Sequence, residues 1–432
     1  MKNADGEANG YVDDRISSIT LCAGRGVEED AGGTGARGLR TIGVVGSAAL
    51  LTAVAVAAFL RPSTAASTPG AERAPVFKAA ARAVSAMTWA TASVGWITVF
   101  DPATKTWTLF QTSDAGRRWQ HRYDSTSEFV AQFFDSERGL LVWGMNGAPS
   151  TLRLLRTDDG GAHWATLPQP FTMPYAGAVL PAFSDPDHVW LLNVAGPAGH
   201  DQPSALYRTL DGGLHWEELL DANLSAPSRH GIAVGGVKKG IWFTGSMDGW
   251  ISTVEPDGTP ALHVTHDGGR EWTSSALPPG DGWYRGASLT FSRPVVDAGG
   301  GGALTVVQPA GIPGEWFPAK AWTYVTSDGG DHWSDPRPMS YTRALVSRFV
   351  TPSVGWTVGA GIALTTSDAG RSWMQTGAPT GAVLAAVTPV DATNAWATAA
   401  PVAPLPSRLF RTTDGGLTWN EVAVPGRAQA AQ

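Results

Sequence analysis

Polar and apolar positions alternate along this chain in short runs. VLAAVTPVD, NAWATAA, RLFRTTD and TWNEVAV follow one another between Val383 and Val424, separated by clusters of polar and turn-forming residues. Runs of this length and period read as four short β-strands rather than helices. The same four-run unit recurs back to about Val84, and one turn pattern marks each copy. The pattern is Thr-x-Asp-x-Gly-x-x-Trp, found at Thr112–Trp119, Thr157–Trp164, Thr209–Trp216, Thr265–Trp272, Thr326–Trp333, Thr366–Trp373 and Thr412–Trp419. Its aspartates, Asp114, Asp159, Asp211, Asp267, Asp328, Asp368 and Asp414, lie 40 to 61 residues apart. That spacing fits one four-stranded blade per copy.

The turn has a physical reading. An Asp carboxylate accepts backbone N–H groups of its own turn, Gly supplies a positive φ, and the Trp folds back to plug the blade. A second Trp set sits in short apolar strands ahead of most turns: Trp96, Trp143, Trp190, Trp242, Trp356 and Trp396. Blade five has ALTVVQ at that place and no Trp. Seven turns predict an all-β, seven-bladed propeller over residues 77–426, with a short tail at 427–432. An open solenoid would need atypical terminal units, whereas the first and last turns here match the middle ones, so a closed ring is expected. No strand is obviously exchanged between the ends, which leaves closure to blade packing or to residues 77–82.

One stretch breaks the strand pattern. Residues 41–60, TIGVVGSAALLTAVAVAAFL, carry no charge, and twenty helical residues span the roughly 30 Å hydrocarbon core of a bilayer. A cleaved signal peptide would have a shorter apolar stretch behind a short basic leader, but here forty polar, Gly-rich residues precede it. The expectation is a disordered segment at 1–40, an uncleaved transmembrane signal anchor at 41–60, a Pro/Ser/Ala linker at 61–76, and a propeller on the extracytoplasmic side of the cell membrane.

Composition narrows the partners. Only 16% of residues are charged and the net charge is −7, so the clustered cations that nucleic-acid binding needs are lacking. The lone cysteine, Cys22, precedes the apolar stretch and permits no intrachain disulfide or cysteine metal site. No cofactor is implied.

The eight-residue pattern resembles the Asp-box, or BNR-like, repeat of sialidases, other glycoside hydrolases and sorting receptors. Together with the Gly-Trp strands SVGW at 93–96 and 353–356, it most resembles the repeats of the photosystem II stability/assembly factor family, over about residues 84–425. That resemblance implies a seven-bladed propeller and carries little about activity. Sialidase chemistry, as that family implies it, needs an arginine triad, a Tyr–Glu pair, an Asp acid and a Phe-Arg-Ile-Pro-like motif. The nearest string here, Phe291-Ser292-Arg293-Pro294, has the wrong order.

The box aspartates recur identically in each blade and are expected to be structural. His163, His215 and His332 share one turn position and are read as solvent-facing. His263 and His266 are three apart on a strand and turn, and are read as facing opposite ways rather than as a metal site. Extra length falls in the connections opposite the turns, read as AGPAGHDQPS, MDGWISTVEPDGTP, PAGIPGEWFPA and PVAPLPS. Trp250 and Trp316 lie in two of these and read either as loop cores or as a docking patch. Arg229, Arg285 and Arg343, with Tyr284 and Trp283, are expected on that same face. They read as a clamp for a carboxylate or acidic peptide, or as surface arginines paired with local acids such as Asp281. The function expected is a non-enzymatic protein- or peptide-binding or assembly module. The alternative is a carbohydrate-active protein, either a hydrolase or a lectin-like binder, whose acids would come from Glu255, Glu315, Asp201 and Asp257.

Overall fold

The computed structural model describes residues 82–143, 152–168, 172–197, 201–285, 288–311, 319–339, 344–359, 361–399 and 406–426. The segments assigned from sequence to the N-terminal tail, membrane anchor, linker and C-terminal tail lie outside these. Among the described residues there are only strands, turns and bends, and no helix is long and apolar enough to cross a membrane.

Seven antiparallel sheets follow one another in chain order, each built from consecutive strands with the first strand innermost. Blade one is Ala83–Trp89, Gly95–Asp101, Thr106–Thr112 and Gln120–Ser125. Blade seven is Leu384–Pro389, Ala395–Ala399, Arg408–Thr412 and Asn420–Val422. Neither end blade borrows a strand from the other. The ring is a seven-bladed β-propeller closed by side chains.

The closing joint repeats joints inside the ring. Trp96 of blade one stacks on Phe133 of blade two at 3.6 Å and 3°. Trp190 of blade three stacks on Phe243 of blade four at 3.6 Å and 2°. At the seam, Trp396 of blade seven stacks on Trp89 of blade one at 3.7 Å and 5°. Trp119 Nε1 donates to the Ala423 carbonyl across the same seam at 3.1 Å, and Ser407 N–H donates to the Arg82 carbonyl at 2.9 Å.

The Gly-Trp signature follows from this joint. The aromatic ending the first strand lies over the residue that opens the second, and there a side chain has no room. A Cβ on Gly95 would come 2.1 Å from the Trp89 ring, and one on Gly249 would come 2.4 Å from the Phe243 ring.

Blade four corrects the sequence assignment. Its first strand is Val237–Thr244 and its second is Asp248–Val254, so Trp242 lies in the innermost strand and Trp250 occupies the Gly-Trp position. Trp250 is fully buried in the core, not in a loop. The enlarged connection read there is therefore a strand followed by a tight turn at 255–259. Blade five's first strand is split into Thr290–Phe291 and Val295–Val296, both pairing with Gly302–Gln308. A hairpin, Ser228–Arg229 with Ile232–Ala233, is inserted between blades three and four.

Removing the seam stack tests closure. Trp396→Ala should cost about 3–5 kcal/mol, the usual range for deleting a buried aromatic. A urea unfolding curve checks this, and an unchanged midpoint would mean that the backbone contacts alone seal the ring.

Candidate functional site

The seven turns account fully for their aspartates. In each, the Thr hydroxyl donates to the Asp carboxylate at 2.7–3.0 Å. The same hydroxyl oxygen accepts the N–H of the Gly four residues on, as at Gly161 and Gly416. The carboxylate accepts the N–H of the residue four on, as at His163 and Thr418. In five of the seven its second oxygen takes a side chain, His163, His215 and His332 Nδ1 at 2.6–2.7 Å or Ser372 and Thr418 hydroxyls at 2.6 Å, and at Asp267 it takes the Glu271 N–H at 3.1 Å. The three histidines are about nine-tenths exposed, and each is tied to its own turn.

Burial works against the charge on Asp211 and Asp368, but hydrogen bonds from His215 and Ser372 outweigh it and bring both to about 2. Bonds from Thr418 likewise hold Asp414 at about 2. A folded pKa below the unfolded value of about 3.9 contributes stability above that value and loses it as pH falls through the folded one. The melting temperature should therefore hold from pH 7 down to about 4 and fall between about 4 and 2. A melting series by circular dichroism checks this, and a loss already complete at pH 5 would contradict it.

Of the predicted arginine clamp, Arg229 and Arg285 are described and lie apart. Tyr284 and Arg285 are exposed on the face opposite the turns. Asp257, in the 255–259 turn of blade four, is lowered by hydrogen bonds from Thr259 and also by the Arg285 charge. Arg229 instead sits beside the tip of the inserted hairpin, where the His230 carbonyl accepts the Trp272 N–H at 2.9 Å and His230 Nδ1 meets Glu271 at 2.7 Å. Trp272 and the 255–259 turn flank opposite ends of Pro260–Thr265, a separation of roughly 17 Å along a six-residue strand. Arg343 lies outside the described residues, as do Glu315 and Trp316.

Two of the other acids offered for hydrolysis have local partners. Glu255 is held below the usual carboxylate range by His263, against the cost of burial. Asp257 caps its own turn through the Thr259 N–H and hydroxyl at 2.9 and 2.6 Å.

Three further cations stand on the inner strands, and two of them, Arg293 and Arg348, are close enough to interact. First strands of neighbouring blades touch around the ring axis. Lys239 is the bulged residue of blade four's first strand, between Lys238 and Gly240. Arg293 lies in the break of blade five's first strand, and Arg348 stands opposite Trp356 in blade six. Arg293 reaches back to the Phe243 carbonyl of blade four at 2.9 Å, and Arg348 donates to the Ser347 carbonyl at 3.0 Å. Lys239 and Arg293 are solvent-exposed and Arg348 is half-buried, yet burial lowers all three, and the Arg293 charge lowers Arg348 further. Water contact combined with desolvation is what the wall of a narrow channel provides. Among the described residues none of the three is ion-paired.

Sequence pattern alone does not mark these cations. Arg293 was visible only within a mis-ordered motif, and Lys239 was hidden by placing Trp242 one strand too far out. The Gly249-Trp250 pair was the signal that fixes the register.

The class defined by this architecture is the seven-bladed β-propeller. No family model matches the chain, and no characterised protein matches it in sequence. Solved structures similar to it include the polysaccharide lyase Uly1, at 10% identity and TM-score 0.53, covering 84% of this chain and 95% of that one. The BP39L lectin from Burkholderia pseudomallei is similar at 13% identity and TM-score 0.51, covering 80% and 100%. YCF48 bound to D1 peptide is similar at 18% identity and TM-score 0.47, covering 83% and 100%.

Proposed function

We propose that this protein is a non-enzymatic binding module that holds an acidic segment, or a carboxylate-ended one, of a protein partner against the channel wall formed by blades four to six. The carrying observation is the Arg293 and Arg348 pair, with Lys239 on the neighbouring inner strand, all partly desolvated and without an ion-pair partner among the described residues. Partly desolvated cations interact with a carboxylate more strongly than exposed ones do, and arginine can bind it through two parallel bonds. Arg285 and Tyr284, exposed on the face opposite the turns, offer the partner a further cationic and aromatic contact. The uncharged stretch 41–60 supports a membrane anchor that places the propeller outside the cell membrane.

The test uses the full chain and an acidic peptide, with its C-terminus free or amidated. Losing one charge-assisted contact costs about 1.5–3 kcal/mol, so Arg293→Gln with Arg348→Gln should weaken binding by roughly tenfold or more at an unchanged melting temperature. Equal capture by both proteins would overturn the assignment. Retention on a glycan array that survives both substitutions would favour the carbohydrate reading, which the lyase and lectin folds keep in view.

A further inference from the structure

Beside the exposed Lys239, its neighbour Lys238 is buried at the interface of blades three and four. The bulge at 238–240 turns the two side chains apart. Lys238 Nζ faces five backbone carbonyls: Ala233 at 2.6 Å, Gly235 at 3.1 Å, Gln202 and Val234 at 3.2 Å, and Gly236 at 3.3 Å. An ammonium has three protons, so five acceptors cannot each receive a discrete hydrogen bond. The contact is that of an ion with a shell of dipoles, the way carbonyl oxygens replace the hydration shell of potassium.

Four of the five carbonyls belong to consecutive residues, 233–236, at the end of the inserted hairpin. The hairpin turns through His230 and Gly231, both with positive φ, a two-residue turn matched to strand twist. Gly236 also has positive φ, which lets the run of carbonyls curl toward one point. Around that point, Gln202 Oε1 accepts the Lys238 N–H at 2.7 Å, and Gln202 N–H donates to the Val234 carbonyl at 2.7 Å. Burial pushes the Lys238 ammonium down to about 8, while Glu255 and Asp201 draw it back up, so at neutral pH the group carries its charge.

We propose that the carbonyls of Gln202 and residues 233–236 form a monovalent-cation site that the chain fills with its own Lys238, and that the 223–236 insertion is folded around that cation. Carbonyls aligned on one point repel one another without a positive centre. The insertion has a small core of its own: its hairpin contributes two residues to each strand, and its buried apolar side chains among the described residues are Ile232 and Val234.

The experiment is tryptic cleavage after Arg229, followed by mass spectrometry on the full chain and monitored beside the near-ultraviolet circular dichroism of the tryptophans. Lys238→Met removes the charge and keeps the apolar stem. In choline chloride it should be cut at Arg229 roughly tenfold faster than the parent, since cleavage follows the population of the locally open form. Potassium or ammonium chloride at the same ionic strength should restore protection, and Lys239→Met should behave as the parent in every salt. Should Lys238→Met lose its near-ultraviolet signal in choline, its recovery in potassium supports the proposal and its failure to recover overturns it. Protection equal to the parent in choline, or rapid cutting in every salt, overturns it as well.

Discussion

The propeller depends on one joint, an aromatic side chain lying flat on the indole of the preceding blade above a residue with no side chain. Stacked rings 3.6–3.7 Å apart and within 5° of parallel join blades one to two, three to four and seven to one. Each large ring removes about 150–250 Å² from water. Gly95, Gly139, Gly249 and Gly355 each lie under the aromatic that ends their own blade's first strand, closer than a Cβ tolerates. Because the seam uses the same joint as the interior, closure needs no exchanged strand. A ring closed by equivalent side-chain contacts has no privileged blade, so its connections can vary without opening it.

The outer turns follow a different economy. Each carboxylate is bound within eight residues by its own Thr and its own backbone, and five of the seven by a local side chain as well, which makes the turn a self-contained unit. Seven such units stabilise the rim and commit their own aspartates to the turn. Function is displaced inward and to the connections, where residues differ from blade to blade. Position by position, the inner strands present Thr88, Gln132, Ala182, Trp242, Arg348 and Thr388 opposite the second strands. Of these six, only Arg348 is charged.

That division also explains what the sequence reveals. The seven turns were legible because their geometry is encoded within eight contiguous residues, so each Asp and each positive-φ Gly announces itself. The ring was legible from their number. Blade four was misread because two tryptophans, Trp242 and Trp250, stand eight apart and both sit in apolar runs. Only the ring stacked over Gly249 decides between them, and that is a contact between strands. Lys239 and Arg293 were missed for a related reason: one occupies a bulge and the other a strand break, where period-two alternation fails. The inserted hairpin, which no turn motif announces, carries Arg229 along the blade toward Trp272.

The inserted hairpin shows how an irregular element is tolerated in so regular a ring. A connection that leaves the outer strand of blade three and must reach the inner strand of blade four exposes backbone that neither sheet satisfies. Much of that unmet demand falls on carbonyls, and an unpaired buried carbonyl costs free energy comparable to a lost hydrogen bond. A single ammonium answers five at once, with Glu255 and Asp201 close enough to favour its charge. Lysine suits this position because its charge is a compact point on a flexible stem, whereas a planar guanidinium would address only acceptors lying in its own plane. Two adjacent lysines in one bulge thus serve opposite ends: Lys238 neutralises the irregularity inside the wall, and Lys239 presents charge to the channel.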